Sequence, residues 1–353
     1  MTKLTYRDAG VDLELYDESL AVMVPFLRKT HTPRVLDGFG GFASLFALES
    51  NPLARTYRDP VLVSCTDGVG TKLKLAGMMN RHDTVGIDLV AMSVNDCLCT
   101  GGVPLFFLDY IALPKDDPPL IQELIKGVSE GCLQAECALV GGETAILPDL
   151  YHSGDYDLAG FCVGVVERDQ IIDGRHVQPG DAVLGLASTG LHSNGYSLAR
   201  KVIFDHAGLK AADFVPELGR TIGEELLTPT RIYVRAVQDV LRHFGAAGSP
   251  VRGLAHITGE GLPGNVPRVL PAGCRVRLRR GSWEVPPVFK WLQRLGNIDQ
   301  AEMDRVFNLG IGFVMIVRAD QADPIRRRLS EKSQIPTQVI GEVGEGEPGV
   351  DWV

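Results

Sequence analysis

Three short acidic segments, each bordered by glycine or by apolar residues, carry most of the chemistry visible in this chain. Asp67-Gly-Val-Gly-Thr-Lys72 follows the apolar run Val61-Leu-Val-Ser-Cys-Thr66. A carboxylate at the end of a strand can hold a divalent cation. Gly68 and Gly70 let backbone amides approach a phosphate beside Thr71, and Lys72 supplies a point charge. The spacing is not GxxxxGK[ST], so this is not a Walker A loop. Asp88, Asn95 and Asp96 lie on a helical pattern whose other residues (Ile87, Ala91, Val94, Leu98) are apolar. Asp88 and Asn95 share one stripe of that helix. Acids in such surroundings are expected to be paired or metal-bound, although an isolated one can simply face solvent. Gly141-Gly142-Glu143-Thr144 puts another carboxylate directly after a short strand, Ala138 to Val140. If Asp67, Asp88, Asp96 and Glu143 converge, they form a hard-cation site able to bridge Mg2+ to a polyphosphate.

The second half offers donors rather than acids. His192-Ser193-Asn194 precedes a predicted helix, where Ser193 or Asn194 can cap and free amides suit an anion. His192 is then a phosphate donor, a general acid or a structural donor. His256-Ile-Thr258-Gly259 repeats this chemistry at a strand-to-loop junction. Asn308, in an apolar stretch, either pins a loop or touches a ligand. No Ser/His/Asp or Cys/His nucleophile arrangement is evident. Gly38-x-Gly40-x-x-Ala43 imitates a dinucleotide fingerprint, but it lacks both a full preceding strand and an acid at the right distance, and reads better as a tight turn.

The elements that must hold these residues are readable from periodicity and punctuation. Strands are predicted at 61–66, 104–113, 138–140, 156–167, 182–187, 274–280 and 312–317. Helices are predicted at 84–100, 118–134 and 320–332, with another capped by Thr228-Pro229 and ending near Phe244. The first 35 or so residues are polar with weak periodicity and read as an arm. Residues 168–180, with Pro179-Gly180-Asp181, read as a linker. Strands and helices mix without regular βαβ alternation, which favours an α+β protein of two domains, 1–167 and 168–353, over a doubly wound sheet.

A net charge of -9 disfavours a general binder of nucleic acid or anionic membrane. No apolar run reaches the ~18 residues of a membrane helix. Asp8, Asp12 and Glu14 occupy the place where a signal peptide would be apolar. The 7 cysteines include no CxxC and suggest reduced thiols in a cytoplasmic protein.

Taken together, Tyr6-Arg-Asp-Ala-Gly-Val-Asp12, Asp67 to Leu73, Gly86-Ile-Asp-Leu-Val-Ala-Met92 with Asn95-Asp96, Gly141 to Thr144, Asp157 to Phe161, Gly190 to Leu198, Leu227-Thr-Pro-Thr-Arg231, His256 to Gly259 and Phe307 to Gly312 occur in an order that resembles the phosphoribosylformylglycinamidine cyclo-ligases. These are the aminoimidazole ribonucleotide synthetases of purine biosynthesis. The resemblance implies a homodimer of two-domain α+β subunits, with N-terminal-domain strands pairing into a dimeric barrel. It implies ATP and Mg2+ as cofactors and formylglycinamidine ribonucleotide as substrate. By that likeness Asp67, Asp88, Asp96 and Glu143 handle Mg2+ and nucleotide, and Lys72 neutralises phosphate. Gly68, Gly70, Thr71, Asn95, Gly141, Gly142, Thr144 and Gly259 would line the nucleotide cleft. His192, Ser193, Asn194, His256 and Thr258 would contact phosphates or substrate. Two residues depart from the family pattern. Arg7 stands where Lys is expected, and Glu260 where Gly is expected. Selenophosphate synthetases and the hydrogenase-maturation proteins share the architecture, but the reactive Cys expected of each is missing from its place here.

Overall fold

The computed structural model describes residues 12–36, 43–48, 57–245 and 248–353. Arg7 and the fingerprint lookalike at 37–42 lie outside the described residues.

In the N-terminal half, α1 (Leu13–Thr30) is followed by β1 (Pro60–Gly68), α2 (Lys72–Met79), α3 (Val85–Cys99), β2 (Val103–Leu113), α4 (Pro118–Gln134), β3 (Ala138–Ile146) and β4 (Asp157–Glu167). The sheet order is β1-β4-β2-β3, antiparallel except for the parallel β2/β3 pair. Along β1 the half-buried Val61, Val63, Cys65 and Asp67 alternate with exposed Leu62, Ser64 and Thr66. One face therefore packs on helices and the other stays open. α4 starts where Asp117 accepts from the Leu120 amide and Pro118 takes the first helical position. Gly86 permits the close crossing of α3 on α4, since a Cβ there would lie 2.3 Å from the Val128 nitrogen.

Two expectations change here. The arm predicted for the N-terminus contains an 18-residue helix, α1, capped by Asp12. Its buried stripe is Ser19, Met23, Leu27 and Thr30, half of it polar, which is why hydrophobic periodicity was weak. β3 runs on to Ile146, so Gly141 to Thr144 belong to the strand rather than to a loop after it. The glycine is needed inside the strand, because a Cβ on Gly142 would sit 2.4 Å from Asp109 Oδ1.

The C-terminal half contains β5 (Ala182–Ala187), α5 (Tyr196–Arg200), the hairpin β6 (Phe214–Val215) and β7 (Arg220–Thr221), α6 (Ile222–Leu226), α7 (Val234–Phe244), β8 (Val251–His256) and α8 (Gly261–Asn265). It continues with β9 (Cys274–Leu278), α9 (Pro287–Gly296), α10 (Gln300–Val306), β10 (Ile311–Val317), α11 (Ala322–Arg327), β11 (Thr337–Glu345) and β12 (Val350–Trp352). Its six-stranded sheet has the order β12-β9-β11-β5-β10-β8. β10, buried at every position, forms the middle of the core. One apolar cluster extends from Met23 in the first half to Ile335 in the second.

Thr228-Pro229 does not start a helix. α7 begins at Val234, and residues 228–233 run as an irregular strap between the halves. The Thr230 and Tyr233 amides donate to Asp88 and Asn95 side chains of α3, which removes the local reason to coil.

Candidate active site

The site is built around the polar stripe of α3. Because α3 is buried almost throughout, each polar residue on it requires a partner. Asp88, with no exposed surface, lies 2.8 Å (Oδ2) from Lys72 Nζ, itself fully enclosed at the start of α2. Asp88 Oδ1 also accepts from the Thr230 amide at 2.7 Å, the Thr230 hydroxyl at 2.6 Å and Ser193 Oγ at 3.2 Å. Lys72 Nζ further donates to the carbonyls of Thr228 at 2.8 Å and His192 at 3.1 Å. An ammonium has three N–H groups, and all three are engaged. Burial pushes the Lys72 amine down, against the pull of Asp88. Both charges are engaged by each other and by backbone and hydroxyl groups of the second half, so that together they tie the two halves.

Asn95, two turns further on, does the same job. Its Nδ2 donates to the Arg231 carbonyl at 2.9 Å, and its Oδ1 accepts from the Tyr233 amide at 3.0 Å. Its amide thus holds the strap. His192 is likewise structural. It is 1% exposed, and its Nε2 accepts from the Thr189 amide at 3.2 Å and the Arg231 amide at 3.5 Å. Two backbone donors to Nε2 leave the ring proton on Nδ1. Burial, then the charges of His256, Lys72 and Arg231, hold its pKa well below the usual histidine range. It is a neutral ring held at Nε2, and its enclosed Nδ1 has no partner among the described residues. Ser193 Oγ is occupied by Asp88 and Thr230, and the cap position of α5 falls to Gly195 rather than Ser193 or Asn194.

Asp96 points the other way. Its side chain is 43% exposed, and its Oδ1 lies 3.0 Å from His256 Nδ1 at the end of β8. His256 Nε2 lies 3.4 Å from Asn95 Nδ2, an arrangement that puts the ring proton on Nδ1, toward the carboxylate. Asp67, at the end of β1, accepts from the Gly68 amide at 2.7 Å. Its carboxyl is pushed up by burial, with the charge of Asp96 adding to the effect and His256 opposing it. Asp67, Asp96 and His256 are the sequence candidates that meet. Thr71 Oγ1 lies 3.3 Å from Ser197 Oγ, and a Cβ on Gly259 would stand 3.8 Å from Asn194 Oδ1. Thr258 Oγ1 donates to Asn265, which also fixes the Gly259 carbonyl. Gly70 takes φ +74 in the turn after Asp67.

Glu143 does not join them. Asp67, Gly160, Asp109 and Gly142 form one row across the sheet. Three strand spacings separate the ends of that row by about 14 Å. Glu143 is exposed at the far edge, close enough to α1 to raise the Tyr16 hydroxyl. Thr144 is buried against Met23 of α1, and Gly141 abuts Ser44. The four acids therefore do not converge. Among the described residues, no group of three or more His, Cys, Asp or Glu side chains has the geometry to hold a metal ion. Asn308 pins a loop, bonding Ser188, the Gly190 carbonyl and the Gly310 amide. Glu260 is exposed at φ +70, a left-handed turn position that glycine adopts without strain.

Two residues escaped the sequence reading. Asp109 sits buried on β2 with both carboxyl oxygens unpartnered, and burial pushes its pKa up to about 7. Its signal was a lone acid in the apolar run Phe106 to Leu113. Arg231 was named only as the end of the Leu227-Thr-Pro-Thr-Arg231 motif and given no role, because the strap read as a helix.

Comparison with known proteins accounts for the whole architecture. Residues 52–166 match the N-terminal domain, and 178–353 the C-terminal domain, of the AIR synthase related proteins. The phosphoribosylformylglycinamidine cyclo-ligase of Citrifermentans bemidjiense is 54% identical over 352 residues, covering 100% of this chain and 98% of the relative. The cyclo-ligase of Pseudothermotoga lettingae is 53% identical over 346 residues, with 98% of each chain covered. Among solved structures, thiamine-monophosphate kinase from Stenotrophomonas maltophilia K279a superposes with a TM-score of 0.66 at 19% identity, covering 94% of this chain and 95% of that one. Hydrogenase maturation protein HypE in complex with ATP gives 0.63 at 16% identity, covering 93% and 88%. These two share the fold. The sequence identities, sustained from end to end, place this chain in the phosphoribosylformylglycinamidine cyclo-ligase family.

Proposed function

We propose that the chain converts formylglycinamidine ribonucleotide and ATP into 5-aminoimidazole ribonucleotide, ADP and phosphate. Family membership along the full length carries this reading. The formyl-amide oxygen is a poor leaving group. Transfer of the ATP γ-phosphoryl to it forms a P–O bond and releases ADP. The amidine nitrogen then closes the ring, and the C–O bond breaks to release phosphate. Such chemistry needs positioning and charge neutralisation rather than a protein nucleophile.

The N-terminal half supplies the carboxylates and the C-terminal half closes over them. Asp67 and Asp96 are the residues suited to hold Mg2+. The first is penalised by burial and by the charge of the second, which a divalent cation relieves. Bound there, Mg2+ would neutralise and orient the triphosphate. His256 fixes the Asp96 carboxylate through Nδ1. Thr71, Asn194, Thr258 and Gly259 border the space left for phosphates. The open sheet face, with Leu62 62% exposed and Tyr110 and Phe161 each 39% exposed, favours pairing with a second copy. Seven thiols without a disulfide suit a reducing cytoplasm.

The test is to mix purified protein with ATP, Mg2+ and formylglycinamidine ribonucleotide and to assay ADP and the imidazole product. ADP release without the imidazole would overturn the reading.

A further inference from the structure

The cleft must accept two anionic substrates beside two carboxylates, yet the basic residues that the sequence offered are spent. Lys72 is neutralised by Asp88 and two carbonyls, and His192, whose Nε2 accepts from two backbone amides, is neutral, so its enclosed Nδ1–H can offer a hydrogen bond but no charge. His256 directs its Nδ1 to Asp96. A reaction that moves a phosphoryl group with none of these cations available needs another one.

We propose that Arg231 is a phosphate ligand of the active site. Its backbone is held from both sides: the carbonyl accepts from Asn95, and the amide donates to His192. The same Asn95 Nδ2 lies 3.4 Å from His256 Nε2, so the strap at Arg231 borders the Asp96–His256 pair. Among the described residues the Arg231 guanidinium has no carboxylate partner, and its Nε is enclosed without a hydrogen-bond acceptor. An enclosed charged donor left unsatisfied is costly and calls for an explanation, of which an acceptor brought by a ligand is the simplest. A guanidinium matches phosphate oxygens as a planar fork and stays charged at any working pH. It takes no proton and forms no bond to phosphorus. Its part is to stabilise the oxygens of a phosphate group, either the one in transfer or the 5′-phosphate of the ribonucleotide.

The inference rests on the reaction proposed above, and its test separates the two. Arg231→Gln and Arg231→Lys are compared with the parent in kcat and in KM for each substrate. The Gln variant is expected to lose about 100-fold or more in kcat/KM. The Lys variant should recover part of the loss, as should added guanidinium ion. Because Arg231 makes no ion pair among the described residues and its enclosed Nε is unsatisfied, the thermal midpoint should be kept or slightly raised. A loss confined to kcat identifies the transferred phosphoryl group as the ligand, and a rise in KM for the ribonucleotide alone identifies the 5′-phosphate. Activity within about threefold of the parent would overturn the proposal, as would a loss matched by unfolding in both variants. If the parent itself forms no imidazole, the proposed reaction fails. Calorimetry with a non-hydrolysable ATP analogue and with inorganic phosphate then still reads the Arg231 contact, and equal affinities in parent and Gln variant would refute it.

Discussion

Lys72 and Asp88 are each other's counter-ion, Nζ lying 2.8 Å from Oδ2 with neither side chain exposed. Both charges were taken out of water to make this contact, and each is useful only while the other is present. Removing one leaves an uncompensated buried charge, which costs about 3–5 kcal/mol. Lys72→Met and Asp88→Leu should each lower stability by that order in a denaturant titration. The double variant should be markedly less destabilised than the sum of the two. Additive losses would mean that the pair is not coupled.

The Asp67 and Asp96 variants should behave in the opposite way. Asp96 is half-exposed, and Asp67 is penalised by burial and by its neighbour's charge. Asp67→Asn and Asp96→Asn should therefore keep or slightly raise the thermal midpoint while turnover falls by about 100-fold or more. Cyclisation at the parent rate in either variant would remove the metal-binding role argued for these residues.

Asp109 makes stability depend on pH. Its folded pKa of about 7 lies above the ordinary carboxyl value of 3.8. The folded state thus holds this proton more tightly than the unfolded state. The resulting stability is complete below about pH 4, declines as pH rises and is gone above about pH 7. The difference corresponds to something on the order of 4 kcal/mol. Asp109→Asn should abolish that decline, so the gap between variant and parent midpoints should shift in favour of the variant from pH 5 to pH 8. A pH-independent gap would show that the carboxyl titrates normally.

The open face of the first sheet predicts association. Leu62→Glu and Phe161→Glu place charge on that face without touching the helices behind it. In sedimentation the parent should run at twice 38.3 kDa and the double variant at 38.3 kDa. A monomeric parent would leave the exposed face without a protein partner.

The sequence announced residue types more reliably than partners. That Asp88 and Lys72 needed company was legible from the apolar run around Asp88 and the glycine turn before Lys72. That they would satisfy each other was not, since a buried acid is equally satisfied by a metal or by an ammonium brought from another element. Asp67 and Asp96 were legible because each lies near the end of a well-patterned element, β1 and α3, whereas His256 ends the short strand β8. Glu143 was misjudged for lack of strand order. Nothing local says that β4 and β2 stand between β1 and β3. The strap was read as a helix because Thr-Pro is a good local start signal, and the competing bonds came from side chains more than a hundred residues away.

That strap also limits how the enzyme can breathe. Any rocking of the second half about α3 would strip Thr230 and Tyr233 from their acceptors and open the enclosed Lys72–Asp88 pair, which lies wholly in the first half, to water. A polypeptide severed between Glu167 and Ala182 would yield fragments that each carry one side of a seam meant never to meet water.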